Sequence, residues 1–446
     1  MDWLKAPAIV QGEAIQNGIL DPVEQTEAYL DAAGDHPYGE RIYARLTPER
    51  ARDEAIAAHD RAKAGKRRGV FDGVALAWKD NIDSAGIATE AGSRLLEGRA
   101  PADDAEILAN AAKGGAVCLG KTHMTELAFS GLGVNPATAS PPNALDPARA
   151  SGGSSGGSAV AVALGLAAAA IGTDTGGSIR LPAAWNDIVG FAPSPGLVPL
   201  KGVVPLCPRY DVAGPLARSV EDCTEILALL TGGQAPDLRD ASAQGLRLLV
   251  LDGLPFEDAR PAPVAAFEDA VARLAAAGAE VTHAAPEAAR DAMRDGSALY
   301  APEAWGLWRE QIEAAPELMH RPTLLRFRAG GDMAAHEYVA LADALGRHRA
   351  VWADAVAEFD AVILPTAPIT PPEIARALED GAYFASENML TLRNTRIGNV
   401  LGLPGVSLPT GHPACGIMAL GAAGGDRALL YVAAAMEAAL GPGGEG

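Results

Sequence analysis

The sequence predicts an α/β fold, and three stretches carry that expectation. Val74 to Trp78 is apolar at every position, which suits a short strand covered on both faces. Leu246 to Leu251, then a helical stretch with Val264, Phe267, Val271 and Leu274 on one face and Gly278 at its close, then Glu280 to Thr282, read as a strand–helix–strand unit. Ala361 to Leu364, stopped by Pro365, reads as one more strand.

The remaining elements follow along the chain. Asp21-Pro22-Val23-Glu24 combines an N-cap residue, a proline at the first helical position and a carboxylate at the third, and starts a helix running to about Ala32. The basic run Arg61, Lys63, Lys66, Arg67 and Arg68 follows a second helix and reads as a solvated turn before the first strand rather than an anion site. That strand ends in Lys79-Asp80-Asn81, and a charge at the end of a buried strand needs a reason. Ala159 to Gly172 is uniformly apolar; it is too short for the ~20 residues that cross a bilayer, and it reads as a helix buried all round. Gly232-Gly233-Gln234-Ala235-Pro236 is either a linker or a surface loop of one domain. Residues 441–446 are expected to be loose, and no internal repeat is visible.

Composition excludes whole classes. The 446 residues carry 36 Lys+Arg against 56 Asp+Glu, a net charge of −20, with 49% hydrophobic and 21% charged residues. Disorder and fibrous architectures do not fit these values, and a soluble globular protein with a large core does. The acidic balance opposes nucleic-acid binding, which needs a basic surface. The start, Met1-Asp2-Trp3-Leu4-Lys5, lacks the basic and apolar regions of a secretory signal, so we expect a cytoplasmic protein with no membrane segment. Cys118, Cys207, Cys223 and Cys415 have neither zinc-ligand nor disulfide-framework spacing, so we expect no metal and buried, reduced thiols.

Two glycine–serine clusters stand out: Gly152-Gly153-Ser154-Ser155-Gly156-Gly157-Ser158, and Gly172-Thr173-Asp174-Thr175-Gly176-Gly177-Ser178-Ile179-Arg180. A flexible linker does not run straight into a buried helix, and a phosphate loop lacks its lysine and its preceding strand. The first cluster fits G-x-S-x-G around Ser154, with His412 late enough to be its base, but Pro147-Ala148-Arg149-Ala150 supplies no strand ahead of it. The second cluster makes better chemical sense. Backbone N–H groups of Thr175, Gly176, Gly177 and Ser178 can converge on a developing oxyanion without Cβ obstruction. Ser178 is then the nucleophile, and with no histidine in either cluster the base available is Lys79. Working near pH 7.5 means lowering a lysine from its usual ~10.4, at roughly 4 kcal/mol, through burial at the end of an apolar strand. Strand alternation turns Asp80 to the opposite face.

Trp78-Lys79-Asp80-Asn81, both glycine–serine clusters, Leu181-Pro182-Ala183, Gly120-Lys121-Thr122, Glu126-Leu127-Ala128-Phe129, Gly214-Pro215-Leu216-Ala217-Arg218 and Asp360 to Pro368 together resemble the amidase signature family over nearly the whole chain. The resemblance implies one amidase domain over 1–446, with its signature core at about 70–220, and a large mixed β-sheet covered on both faces by helices. It implies a Ser–cis-Ser–Lys triad in which Ser178 attacks, Ser154 relays the proton from behind a cis peptide bond, and Lys79 is the final base. Ser155, Asp174 and Arg180 then hold the loop, and Ser130-Gly131-Leu132 lines the pocket. No cofactor is implied.

Three departures narrow the expectation. His123 stands where the family often has Asn, Ala192 where it often has Lys, and Leu392 where the A subunits of amidotransferases place an acidic residue that helps select glutamine. Arg326, Arg393 and Arg396 are candidates for a substrate carboxylate or carbonyl, because guanidinium offers a planar fork of donors. The expected activity is hydrolysis of a small carboxylic amide through a Ser178 acyl-enzyme, giving acid plus ammonia or amine. The alternatives are an esterase on the same triad, the glutaminase subunit of a tRNA-dependent amidotransferase, and a catalytically silent binding subunit. A homodimer is compatible with the sequence, which does not specify the oligomer.

Overall fold

The computed structural model describes residues 2–441. Its framework is one eleven-stranded mixed sheet. The strands are β1 (Tyr43–Leu46), β2 (Ala75–Lys79), β3 (Val117–Thr122), β4 (Ala169–Asp174), β5 (Val189–Ala192), β6 (Val212–Ala217), β7 (Arg247–Leu251), β8 (Glu280–Ala284), β9 (Ala361–Pro365), β10 (Gly405–Pro409) and β11 (Gly416–Leu420). Their spatial order is β1-β3-β2-β4-β6-β5-β10-β11-β9-β7-β8. β3, β2 and β4 run parallel, as do β9, β7 and β8, and the strands between these two groups pair antiparallel.

Side-chain alternation shows why both faces of this sheet are covered. Leu248 and Val250 of β7 enter one apolar cluster, while Leu249 and Leu251 enter another. Ile363 and Val362 of β9, and Ala419 and Met418 of β11, divide the same way. Helices must therefore pack on each side, which explains strands that read as unbroken apolar runs rather than alternating ones.

The strand–helix–strand unit is β7, the helix Pro261–Ala276 and β8, with Gly278 at φ +99° making the turn between the last two. The early helix spans Pro22–Asp35, and the Asp21 side chain accepts from the Val23 N–H as its cap. The basic run is solvated in part: Lys63, Lys66 and Arg68 are exposed, while Arg61 pairs with Asp72 and Arg67 donates to the carbonyls of Gly12, Val70 and Asp72. Gly232, at φ +68°, caps the helix Val220–Thr231, and the chain continues into β7 of the same sheet. The tail expected to be loose, Gly441 apart, lies outside the described residues.

One expectation is corrected. The apolar stretch 159–172 is not a single helix: the helix Gly156–Ala163 ends, Gly165 turns at φ +75°, and β4 begins at Ala169. A run of Ala, Val, Leu and Ile suits a helix or a strand equally when every side is buried, so periodicity had nothing to distinguish. The correction places Thr173 and Asp174 at the carboxyl end of a strand next to β2.

Candidate active site

The site forms where the parallel strands β2 and β4 end, the edge at which α/β sheets commonly expose their ligand crevice. Lys79 is the last residue of β2 and is fully buried. Its Nζ donates to Ser154 Oγ at 2.7 Å, to Thr173 Oγ1 at 2.7 Å and to the Thr173 carbonyl at 3.2 Å. No carboxylate lies within ion-pair distance of it among the described residues. Burial pushes the lysine down from 10.5 to about 7, against an opposing pull from the more distant charges of Asp174 and Asp211. Asp80 turns to the other face and pairs with Arg45 at 2.6 Å, as strand alternation requires.

Ser154 follows a cis peptide bond from Gly153 and sits just ahead of the helix Gly156–Ala163. The Gly153 N–H donates to the Gly131 carbonyl at 2.7 Å, and the Ser154 carbonyl accepts from the Thr125 N–H at 3.3 Å. Ser155 joins the two clusters: its N–H donates to the Ser178 carbonyl at 3.2 Å and its Oγ to the Thr173 carbonyl at 3.2 Å. Ser178 itself lies outside the Lys79–Ser154 hydrogen bond and lines a cavity of about 430 Å³.

The Thr175–Ser178 loop is held from below by a buried ion pair. Asp174 accepts from Arg180 Nε at 3.1 Å and Nη2 at 3.0 Å, from Asn399 Nδ2 at 2.8 Å, and from the N–H groups of Gly177 and Ile179 at 2.8 and 3.1 Å. Burial would raise the Asp174 carboxyl, but the Arg180 charge and these hydrogen bonds bring it below its usual value. The Gly177 N–H is therefore already engaged, whereas those of Thr175, Gly176 and Ser178 have no hydrogen-bond partner among the described residues. Gly177 sits at φ +127°, and a Cβ there would come within 1.9 Å of Thr395 Oγ1. Only glycine permits that approach. Thr395 in turn donates to the Gly176 carbonyl at 2.8 Å.

Ser130, Thr175, Gly176, Ser178, Arg326 and Arg396 share the wall of the one cavity. Three of the expected substrate-binding residues do not line it. Gly131 packs against Leu392 and holds Gly153, and Leu132 is fully buried in an apolar cluster with Leu181 and Trp185. Arg393 points away, its guanidinium donating to the carbonyls of Pro255 and Glu257. His412 lies on the surface beside Asp269 at 3.2 Å, so the G-x-S-x-G reading loses its histidine base.

Several participants were not singled out from the sequence. Thr173 lay inside a quoted motif, but only the strand assignment shows its hydroxyl reaching Lys79. Asp211 accepts from Thr175 Oγ1 at 2.6 Å and from the N–H groups of Leu206 and Cys207. Tyr300 donates to the Thr175 carbonyl at 2.9 Å and stacks on Tyr210 at 4.3 Å. Asn388 accepts from Ser130 Oγ at 3.0 Å and the Gly131 N–H at 2.8 Å. No local pattern marks these last three, which arrive from distant segments. Among the described residues no cluster of metal ligands occurs, no helix is long and apolar enough to cross a membrane, and the four cysteines are buried and unpaired.

A mixed sheet with a buried lysine–serine pair beneath a serine-lined pocket defines a class, the hydrolases of carbon–nitrogen bonds in amides. Residues 24–430 match the amidase family, and the chain belongs to it. It is 34% identical to 2-amino-5-chloromuconic acid deaminase of Comamonas testosteroni over 93% of each chain. It is 30% identical to the glutamyl-tRNA(Gln) amidotransferase A subunit of Thermosynechococcus vestitus, over 93% of this chain and 94% of that one. Against several other A subunits the match spans about half of either chain. A crystal structure of an amidase superposes with a TM-score of 0.87 at 30% identity, covering 98% of this chain and 100% of that one.

Proposed function

We propose that the chain, folded as a single amidase domain, hydrolyses a small carboxylic amide through an acyl-enzyme on Ser178. The observation that carries this reading is Lys79: a fully buried lysine without a carboxylate partner among the described residues, 2.7 Å from Ser154 Oγ and held at about 7 by burial. Near neutral pH an appreciable fraction of it is a free amine, which can accept a proton.

In the proposed cycle Ser178 Oγ attacks the amide carbon and gives its proton to Ser154, whose own proton passes to Lys79. The carbonyl oxygen, now negative, meets the free N–H groups of Thr175, Gly176 and Ser178. Collapse of the tetrahedral intermediate breaks the C–N bond, and the relay returns the proton to the leaving ammonia or amine. Water then attacks the ester and gives up a proton through the same relay, which releases the acid and restores Ser178. Asp174, Arg180 and Ser155 position the loop, and every step is supplied by the side chains and backbone groups named.

A glutaminase subunit of an amidotransferase is the competing reading, and the relative from T. vestitus supports it in overall likeness. Against it stands Leu392, which lines the cavity where the resemblance to A subunits expects an acid. A catalytically silent subunit would have no use for an unpaired buried lysine beside Ser154.

The test is ammonia release from a panel of primary amides by wild type and Ser178→Ala in parallel, with fluorophosphonate labelling of each. Wild type should turn over part of the panel and label at residue 178, and the variant should do neither. Full activity in Ser178→Ala would overturn the assignment.

A further inference from the structure

This inference rests on the amide-hydrolase reading of the Ser178 pocket and concerns which amides enter it. Three guanidinium groups, from Arg294, Arg326 and Arg396, line the cavity, and no carboxylate among the described residues does. In a chain of net charge −20 that local balance is inverted. Arg294 is neutralised by Asp295 at 2.7 Å and Asp291 at 2.7 Å. The other two have no anionic partner among the described residues.

Arg326 comes from the helix Arg321–Arg328, donates to the Phe129 carbonyl and lies 4.4 Å over the Phe129 ring. Arg396 comes from the helix Arg393–Leu401 and lies 5.6 Å over the Tyr300 ring, with no side-chain hydrogen bond to the described residues. It stands beside the nucleophile loop, since a Cβ on Gly176 would lie 3.7 Å from its Nε. The two cations also act on each other: burial first, then the Arg396 charge, pushes Arg326 down to about 9, and burial lowers Arg396 as well. Each guanidinium has five N–H donors, and half-burial without a counterion leaves most of Arg396's unsatisfied by protein. An anion entering the pocket satisfies those donors and removes the repulsion in one step.

We propose that the pocket selects amides carrying a carboxylate, bound between Arg326 and Arg396 while the amide lies at Ser178. The favoured chemistry is a dicarboxylic acid monoamide. An amide that also bears an ammonium, such as glutamine, is disfavoured, because its cation would meet two guanidiniums and the apolar Leu392 with no acid to receive it. Ala128, Phe129 and Leu206 offer an apolar wall to the carbon chain between the two ends.

The test uses the monoamides of succinic, glutaric and adipic acids, the neutral diamide of each, and glutamine. Wild type should favour the best monoamide over its diamide and over glutamine by about tenfold or more in kcat/KM, the scale of a charge-assisted hydrogen bond. Arg396→Gln and Arg326→Gln should raise KM for that monoamide by about tenfold, with the diamide changed less than about threefold, and Arg396→Lys should restore part of the loss. Equal treatment of monoamide and diamide by wild type, or equal losses on both in the variants, would overturn the inference.

Ser178 labelling separates this result from the underlying reading and serves as the folding control for each variant. If Ser178 labels but the monoamides are not hydrolysed, and neither they nor the matching dicarboxylates protect it from label, carboxylate recognition is wrong while the nucleophile stands. If nothing labels and no amide is hydrolysed, the Ser178 reading itself fails.

Discussion

Two buried lysines on neighbouring parallel strands show how similar burial serves different ends. Lys79 ends β2 and Lys121 lies in β3, paired in register with Trp78, and neither is exposed. Burial lowers both, Lys79 to about 7 and Lys121 to about 8. Their partners differ. Lys121 meets the Ile82 carbonyl, Thr89 Oγ1 at 3.0 Å and the Asp80 carboxylate at 3.7 Å, and Asp80 also holds Arg45. Lys79 meets only Thr173 and the Ser154 hydroxyl among the described residues. A buried cation with a counterion ties strands together; without one, it is left free to exchange a proton. The pattern recurs in the arginines, where Arg180 is locked to Asp174 and Arg396 has no anionic partner among the described residues.

Substituting the two lysines is the strongest way to break this comparison. Lys79→Ala should lower kcat/KM by about 10³-fold or more, within the range for a lost proton acceptor, with little loss in a urea denaturation midpoint. Lys121→Met should do the reverse, keeping most activity while losing about 3 kcal/mol of stability as Asp80 gives up one of its two cations. Equal activity losses in both variants would mean that Lys79 has no special role. The next largest effect belongs to the locked arginine. Arg180→Met leaves Asp174 buried and short of its charge partner, and should cost about 3–5 kcal/mol of stability, read by the same denaturation.

How much of this was legible in the sequence depended on whether the information was local. β2 and the unit around β7 and β8 were visible because an apolar run or a helical stripe bounded by turn residues has few alternatives. Lys79, Ser154 and Ser178 could be singled out as candidates because each sits in a motif. β4 was hidden in a stretch where a buried helix and a buried strand have the same composition, and with it the contact between Thr173 and Lys79. Tyr300, Asp211 and Asn388 were hidden for a different reason: they reach the site by tertiary folding, Asn388 from 257 residues beyond Gly131. Arg393 and Arg396 show the limit most directly, since residues three apart on a helix project to similar sides, yet only one reaches the cavity.

A pH profile sharpens the lysine comparison with a smaller effect. In the proposed relay the active form of Lys79 is the neutral amine, and its pKa is lowered to about 7 by burial. Activity therefore rises with pH as Lys79 loses its proton, and falls about tenfold per pH unit well below 7. The log kcat/KM profile of wild type should bend near pH 7 on its acid side. Lys121→Met should keep that bend, because Lys121 is no part of the relay, and the residual activity of Lys79→Ala should lack it.

The smallest expected effect tests the arginines. Arg393→Ala removes donors to the Pro255 and Glu257 carbonyls, but Asn394 Nδ2 still donates to Pro255 at 3.1 Å, so the loop keeps part of its attachment. The cost should be about 1 kcal/mol, that of a partly replaced hydrogen-bonded group, seen as a modest shift of the urea midpoint. KM for a carboxylate-bearing amide should stay within about twofold of wild type, because this guanidinium faces away from Ser178. Arg396→Gln reverses the signature: its guanidinium has no hydrogen-bond partner among the described residues to lose, so the urea midpoint should hold while KM rises. A KM increase in Arg393→Ala as large as that in Arg396→Gln would show that loop 255–257, and not a free guanidinium, sets the affinity. The distinction between paired and unpaired cations would then no longer explain the pocket.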